Sequence, residues 1–175
     1  MYERFGQFIN GKWQGSSSNE TYDVINPATE ELIGKASKAN NNDIQLAIKS
    51  AEKGLEVWKN TSPWERSKII RKISELIRSK SDILSKWLTL EVGKPISESP
   101  GEVSGAADIF EWNSEETKRI FGETNQSRFS NTRVHVYYQP VGVVAALVPW
   151  NFPIVLASRK ISTALAAGCS VIVKP

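Results

Sequence analysis

Residues 141–148 read Val-Gly-Val-Val-Ala-Ala-Leu-Val, residues 154–167 read Ile-Val-Leu-Ala-Ser-Arg-Lys-Ile-Ser-Thr-Ala-Leu-Ala-Ala, and residues 170–173 read Ser-Val-Ile-Val. The first run is continuous, apolar and rich in β-branched side chains, the pattern of a parallel strand covered on both faces. Pro149 ends it, and Asn151-Phe152-Pro153 forms a loop. The second run has helical length and stops at Gly168; the third is another buried strand, ending at Lys174-Pro175. Strand, helix, strand is a βαβ unit and places the chain among α/β folds. Two strands do not make a doubly wound sheet. The expectation is that the sheet is cut at its second strand, as a fragment or with the missing strands supplied by another chain.

Outward from this unit, Val134, Val136 and Tyr138 alternate with His135 and Tyr137, so 133–139 reads as a strand, with the polar stretch 123–131 before it as a loop. Three helical stripes precede that. Ile44, Ala47, Ile48, Ala51, Leu55 and Trp58 recur at three and four residues. Ser62-Pro63-Trp64-Glu65 then sets a Ser cap, a Pro at the first helical position and a Glu three after the cap. The stripe it opens runs through Ile70, Ile73, Leu76 or Ile77, Leu84, Trp87 and Leu88, with a break or kink at 79–82 and a stop at Gly93. Ser99-Pro100-Gly101-Glu102 repeats the start device, and Val103, Ala106, Ala107, Phe110, Trp112 or Asn113, and Ile120 carry that helix to about 121–122. Trp58, Trp64, Trp87 and Trp112 read as packing residues. Near the start, 8–26 reads as a hairpin region turned at Asn10-Gly11, and 31–35 as one more short strand.

Composition narrows the class. The 175 residues are 40% apolar and 23% charged, enough for one domain with a real core. One Cys excludes an internal disulfide, and one Cys with one His cannot form the usual zinc sites. No run of 18 apolar residues is present, and Met1-Tyr2-Glu3-Arg4-Phe5 lacks the layout of a secretory signal, so a cytoplasmic location without membrane attachment is expected. The net charge of +3 is not a nucleic-acid footprint. Residues 1–140 hold all 19 acids and 19 of the 22 Lys and Arg, so they are neutral. The last 35 residues hold only Arg159, Lys160 and Lys174, and 22 of the 35 are apolar. Such a segment reads either as a core with a few sites for an anionic ligand or as a core that happens to lack acids.

Ligands of open α/β sheets bind beyond the carboxyl ends of the strands. Those ends carry Asn151 and Lys174. A neutral amide donor suits an oxyanion, and an ammonium suits ribose hydroxyls or phosphate. By residue type alone, Asn151 reads more readily as a turn residue and Lys174 as a solvated terminus. Cys169, before a buried strand among small residues, reads as a structural thiol, and His135 as non-catalytic.

Pro140-Val-Gly-Val-Val-Ala-Ala-Leu-Val-Pro-Trp-Asn-Phe-Pro153, Leu165-Ala-Ala-Gly-Cys169 and Val171-Ile-Val-Lys-Pro175 resemble the aldehyde dehydrogenase superfamily. Phe8-Ile-Asn-Gly-Lys-Trp13, Ile25-Asn-Pro-Ala-Thr29 and Glu91-Val-Gly-Lys-Pro95 fit its N-terminal part in order. The resemblance implies a helical front, an incomplete Rossmann-like parallel sheet and an NAD or NADP cofactor. It divides the chain into a front part of the cofactor-binding domain (1–132), the start of an oligomerisation arm (133–140) and the first, truncated βαβ of the dinucleotide-binding sheet (141–175). It assigns Asn151 to the oxyanion of the reacting aldehyde. Leu147, Val148, Pro149 and Trp150 fall on the cofactor's path, and Lys174 on its adenosine ribose. Arg159, eight residues after Asn151, and Glu111-Trp-Asn-Ser-Glu-Glu-Thr-Lys-Arg-Ile-Phe-Gly122 resemble succinate-semialdehyde dehydrogenases, whose Arg at this place reads the substrate's distal carboxylate. The family's nucleophilic Cys and general-base Glu lie beyond the Lys-Pro position and are not among these 175 residues. Two readings follow: part of an aldehyde-oxidising enzyme, inactive alone and completed by a C-terminal chain or a homo-oligomer, or a non-catalytic truncated product or docking subunit.

Overall fold

The computed structural model describes residues 6–175; the expectation drawn from Met1 to Phe5 lies outside the described residues. Two antiparallel hairpins come first. β1 (Gln7–Ile9) turns through Asn10-Gly11, both at positive φ, into β2 (Lys12–Gln14). β3 (Thr21–Ile25) pairs forward with β4 (Leu32–Ser37). The hairpin turned at Asn10-Gly11 is as read, but the last strand of the region 8–26, β3, belongs with the segment after it.

The helical front follows its local signals closely. α1 (Asn41–Trp58) is capped by Asn40, whose side chain accepts the N–H groups of Asn42 and Asp43 while Asp43 accepts the N–H of Asn40. The buried Asp43 carboxylate also accepts the Ser16 hydroxyl at 2.7 Å and the Ser17 N–H at 3.0 Å, and so ties the loop after β2 to the start of the helix. Hydrogen bonds from the Asn40 backbone first, and then from the Ser16 hydroxyl, hold its pKa well below the usual carboxylate range. α2 (Pro63–Ser79) starts as read, with the Ser62 hydroxyl accepting the Glu65 N–H. The suspected break is real: α3 (Ser81–Val92) follows after Lys80. Gly93 ends it in the left-handed region at φ 74°, and a Cβ there would stand 2.8 Å from Pro27 Cγ.

α4 (Ser99–Glu116) continues into a short 3-10 turn (Thr117–Arg119), ending before the expected 121–122. Its start also differs from the reading. Ser99 is the first helical residue and caps nothing; its hydroxyl pairs with Thr89 Oγ1 at 2.8 Å. Glu102, the supposed second half of the capping device, turns instead toward another helix.

Val103, Ala106, Ala107 and Phe110 form the buried stripe of α4, which packs on α2 and α5. Ile70, Phe110 and Ala166 make the centre of the core, covered by Trp58, Ile73, Ile77, Ile161 and Leu165. Trp58 Nε1 donates to the Leu165 carbonyl at 2.9 Å, tying α1 to α5. The Trp64 and Trp112 side chains, in contrast, are 67% and 68% exposed and are not packing residues. Trp64 is the second residue of α2, with the Lys118 ammonium 5.5 Å from its ring centre. Ile44 also falls outside its stripe and is exposed.

The stretch 123–131 is not all loop. β5 (Glu123–Gln126) pairs antiparallel with β6 (Arg133–Val136), Glu123 facing Val136, in a ribbon exposed on both faces. β6 stops at Val136, short of the expected 139. His135 Nδ1 lies 3.1 Å from Thr124 Oγ1 on the partner strand.

β7 (Val143–Leu147), α5 (Pro153–Ala166) and β8 (Ser170–Lys174) form the expected βαβ unit, with β7 and β8 parallel and Val143 beside Ser170. Burial on both faces is not observed: Ala146 is the one buried residue of β7 and Ser170 of β8. α1 and α5 both pack on this pair, but each strand has a neighbour on one side only, so the outer edges meet solvent. Among the described residues no helix is long and apolar enough to cross a membrane.

Candidate functional site

The carboxyl ends of β7 and β8 lie level. Leu147 is the register partner of Lys174, and the Val148 N–H donates to the Lys174 carbonyl at 3.0 Å. The chain then leaves the sheet through Pro149, Trp150, Asn151 and Phe152 before α5 begins. Leu147, Pro149, Trp150 and Asn151 are exposed, Trp150 by 80%, and Val148 is half-buried. Lys174 is exposed, and its ammonium donates to the Pro175 carbonyl at 2.8 Å. The rim thus combines an apolar surface, a neutral amide and an ammonium.

α5 has Pro153 at its first position, which lacks an N–H, and no side chain of its own caps it. Its next donors are met from α4. Glu102 Oε1 accepts the Ile154 N–H at 3.1 Å and the Val155 N–H at 3.4 Å. Glu102 Oε2 is paired with Lys94 Nζ, and both side chains are nearly sealed from water, 1% and 10% exposed. The Lys94 ammonium also stands 3.7 Å from the centre of the Phe152 ring. The sequence pattern assigns Lys94 and Glu102 no role at the site. Lys94 follows the Gly93 stop, and Glu102 resembles a local capping residue; their meeting depends on α5, about 50 residues further on.

Arg159 projects from α5 into a cleft of about 490 Å³ shared with Lys94, Glu98, Glu102, Phe152, Val155 and Leu156. The structure therefore brings Arg159 together with the residue next to Asn151, while Leu147 and Lys174 share the strand-end rim. Asn151 is the link between the two places. Cys169 is elsewhere: it precedes β8, is 2% exposed, and lies about 16 Å from the rim by strand rise. With Lys94 already neutralised by Glu102, the free positive charge of the cleft among the described residues is the Arg159 guanidinium, which suits a carboxylate.

The aldehyde dehydrogenase family model matches residues 13–175. A glutarate-semialdehyde dehydrogenase of Pseudomonas putida is 42% identical over 168 residues, covering 96% of this chain and 35% of that protein. The NADP(+) succinate-semialdehyde dehydrogenase of Escherichia coli is 41% identical over 167 residues, again 35% of its length. The crystal structure of a succinate-semialdehyde dehydrogenase from Burkholderia pseudomallei superimposes with a TM-score of 0.96 at 40% identity, over 98% of this chain and 36% of that one. The chain thus spans about a third of the length of the relatives it matches.

Proposed function

The chain belongs to the aldehyde dehydrogenase family, and on that premise we propose that it forms the front of an NAD- or NADP-dependent enzyme oxidising a small aldehyde with a distal carboxylate, succinate semialdehyde first. The observation that carries this reading is the place of Arg159, inside a cleft whose wall includes Phe152, the neighbour of Asn151.

In this reading Asn151 donates its amide N–H to the aldehyde oxygen as charge builds on it. A neutral donor held at a loop end needs no proton transfer and little rearrangement. Arg159 pairs with the carboxylate at the far end and aligns the aldehyde. The strand-end rim fits a dinucleotide: the Lys174 ammonium is exposed to ribose hydroxyls, and Leu147, Val148, Pro149 and Trp150 offer an apolar surface to a flat ring. The cofactor, when bound, supplies the acceptor for the hydride of the aldehyde carbon. The thiolate nucleophile and the water-activating carboxylate come from sequence outside residues 1–175, since Cys169 is buried at the opposite end of β8. In this reading 133–140 begins an oligomerisation arm, which the exposed ribbon of β5 and β6 leads into and which pairs with a second copy.

The test joins residues 1–175 to the remaining two thirds of the Escherichia coli relative and follows aldehyde-dependent reduction of NAD and NADP. The fusion turns over succinate semialdehyde, and the 175-residue chain alone does not. Asn151→Ala lowers kcat about 10²- to 10³-fold with little change in KM, the loss of one oxyanion donor. An unchanged kcat removes Asn151 from the mechanism, and turnover by the short chain alone refutes the need for a nucleophile from elsewhere.

A further inference from the structure

Between β7 and α5 the rim loop carries Asn151 on backbone that makes no ladder hydrogen bonds. An amide that must meet a developing oxyanion requires a fixed position, and a shift of about 1 Å costs up to about 10²-fold in rate. On the strand side the loop is anchored by the Val148 N–H on the Lys174 carbonyl. On the helix side the anchor comes from outside the βαβ unit.

We propose that Glu102, steadied by Lys94, is the positioning residue that sets Asn151. Helix starts leave orphan N–H donors, and here a carboxylate from α4 takes two of them, Ile154 and Val155, three and four residues after Asn151. Lys94 holds the other carboxylate oxygen and packs its charge on the ring of Phe152, the residue directly after Asn151. The loop is thus gripped at 152 and at 154–155 by one ion pair that is itself almost dry. Either partner removed leaves the other as an uncompensated buried charge, so the bracket acts as a unit.

This inference rests on the oxyanion role given to Asn151 above, and the test separates the two. In the fused enzyme, Glu102→Ala, Glu102→Gln, Asn151→Ala and the Glu102→Ala/Asn151→Ala pair are compared by kcat, aldehyde KM and cofactor Kd. Glu102→Ala lowers kcat at least about tenfold while KM and Kd move less than about threefold, the pattern of a displaced catalytic group. Glu102→Gln recovers only part of the loss: its amide oxygen still accepts both N–H groups, but its NH2 group faces Lys94 and leaves that charge uncompensated. Adding Glu102→Ala to Asn151→Ala costs less than about threefold more, since the amide whose position Glu102 sets is already gone. Losses that multiply in the pair overturn the positioning role alone, as does a parallel loss of kcat, KM and cofactor affinity. A neutral Asn151→Ala overturns the oxyanion reading and the proposal with it. Should Glu102→Ala not fold, Lys94→Met carries the same comparison: a smaller kcat loss that again fails to multiply with Asn151→Ala supports the bracket, and full multiplication overturns it.

Discussion

Replacing Arg159 by Met keeps an unbranched apolar stem and removes the charged head, and the consequence can be sized from the cleft. The guanidinium shares that space with two carboxylates, Glu98 and Glu102, and one ammonium, Lys94. Glu102 and Lys94 neutralise each other, so among the described residues no second free cation lines the cleft to replace Arg159, and Glu98 repels an incoming carboxylate. A hydrogen bond to a charged group contributes about 1.5–3 kcal/mol. Arg159 is exposed and the cleft is open, so the lower half of that range applies. At about 1.4 kcal/mol per decade this is roughly a 10- to 40-fold fall in kcat/KM for succinate semialdehyde. Butanal, which lacks the distal charge, falls less than about threefold. The assay is the ratio of the two kcat/KM values in the fused enzyme at low and high salt. Screening lengths shrink from about 10 Å at 0.1 M to about 3 Å at 1 M, so salt erodes the preference of the unsubstituted enzyme and leaves the variant's ratio flat. Equal losses on both aldehydes, or a preference that survives in Arg159→Met, would refute the assignment of Arg159 to the substrate's far end.

Two further outcomes concern the scaffold. The folded-state pKa of Asp43 is depressed, so its hydrogen bonds contribute stability above the unfolded carboxylate value near 4 and lose it as pH falls through the depressed one. Asp43→Asn is therefore less stable than the parent at pH 7, and urea midpoints converge as pH drops from about 5 to about 2; a constant gap contradicts this. Ile70, fully buried against Phe110 and Ala166, costs about 2–5 kcal/mol as Ala. Leu76→Ala on the exposed side of the same helix costs under about 1 kcal/mol, and equal midpoints for the two variants would misplace the core.

What the sequence disclosed depended on how far each signal reached. α2 was legible to the residue because Ser62, Pro63 and Glu65 act within one turn. Gly93 and the 79–82 break were equally local. The same signature misled at Ser99, because Glu102 serves a helix start more than 50 residues away. β5 gave no periodic signal, since both faces of its ribbon are wet and polar side chains occupy each. Trp64 and Trp112 read as packing residues because they lie on or beside apolar stripes, yet a large ring there reveals nothing about which face it takes. At the candidate site Asn151, Arg159 and Lys174 were named from motif resemblance, and the geometry separates them into a cleft and a rim. The Lys94–Glu102 bracket left no trace in the pattern, because ion pairs between distant helices have no period.

Cys169 has a practical consequence. It is the chain's single thiol, shut behind α5 at the foot of β8. A small thiol reagent added to the folded chain reacts no faster than the βαβ unit opens. The rate of alkylation is then a stopwatch for the opening of that unit, separate from the fraying of hairpins and ribbon, which carry no sulfhydryl. It requires no engineered label, and it would register whether a cofactor clasped at the opposite strand ends keeps the unit shut.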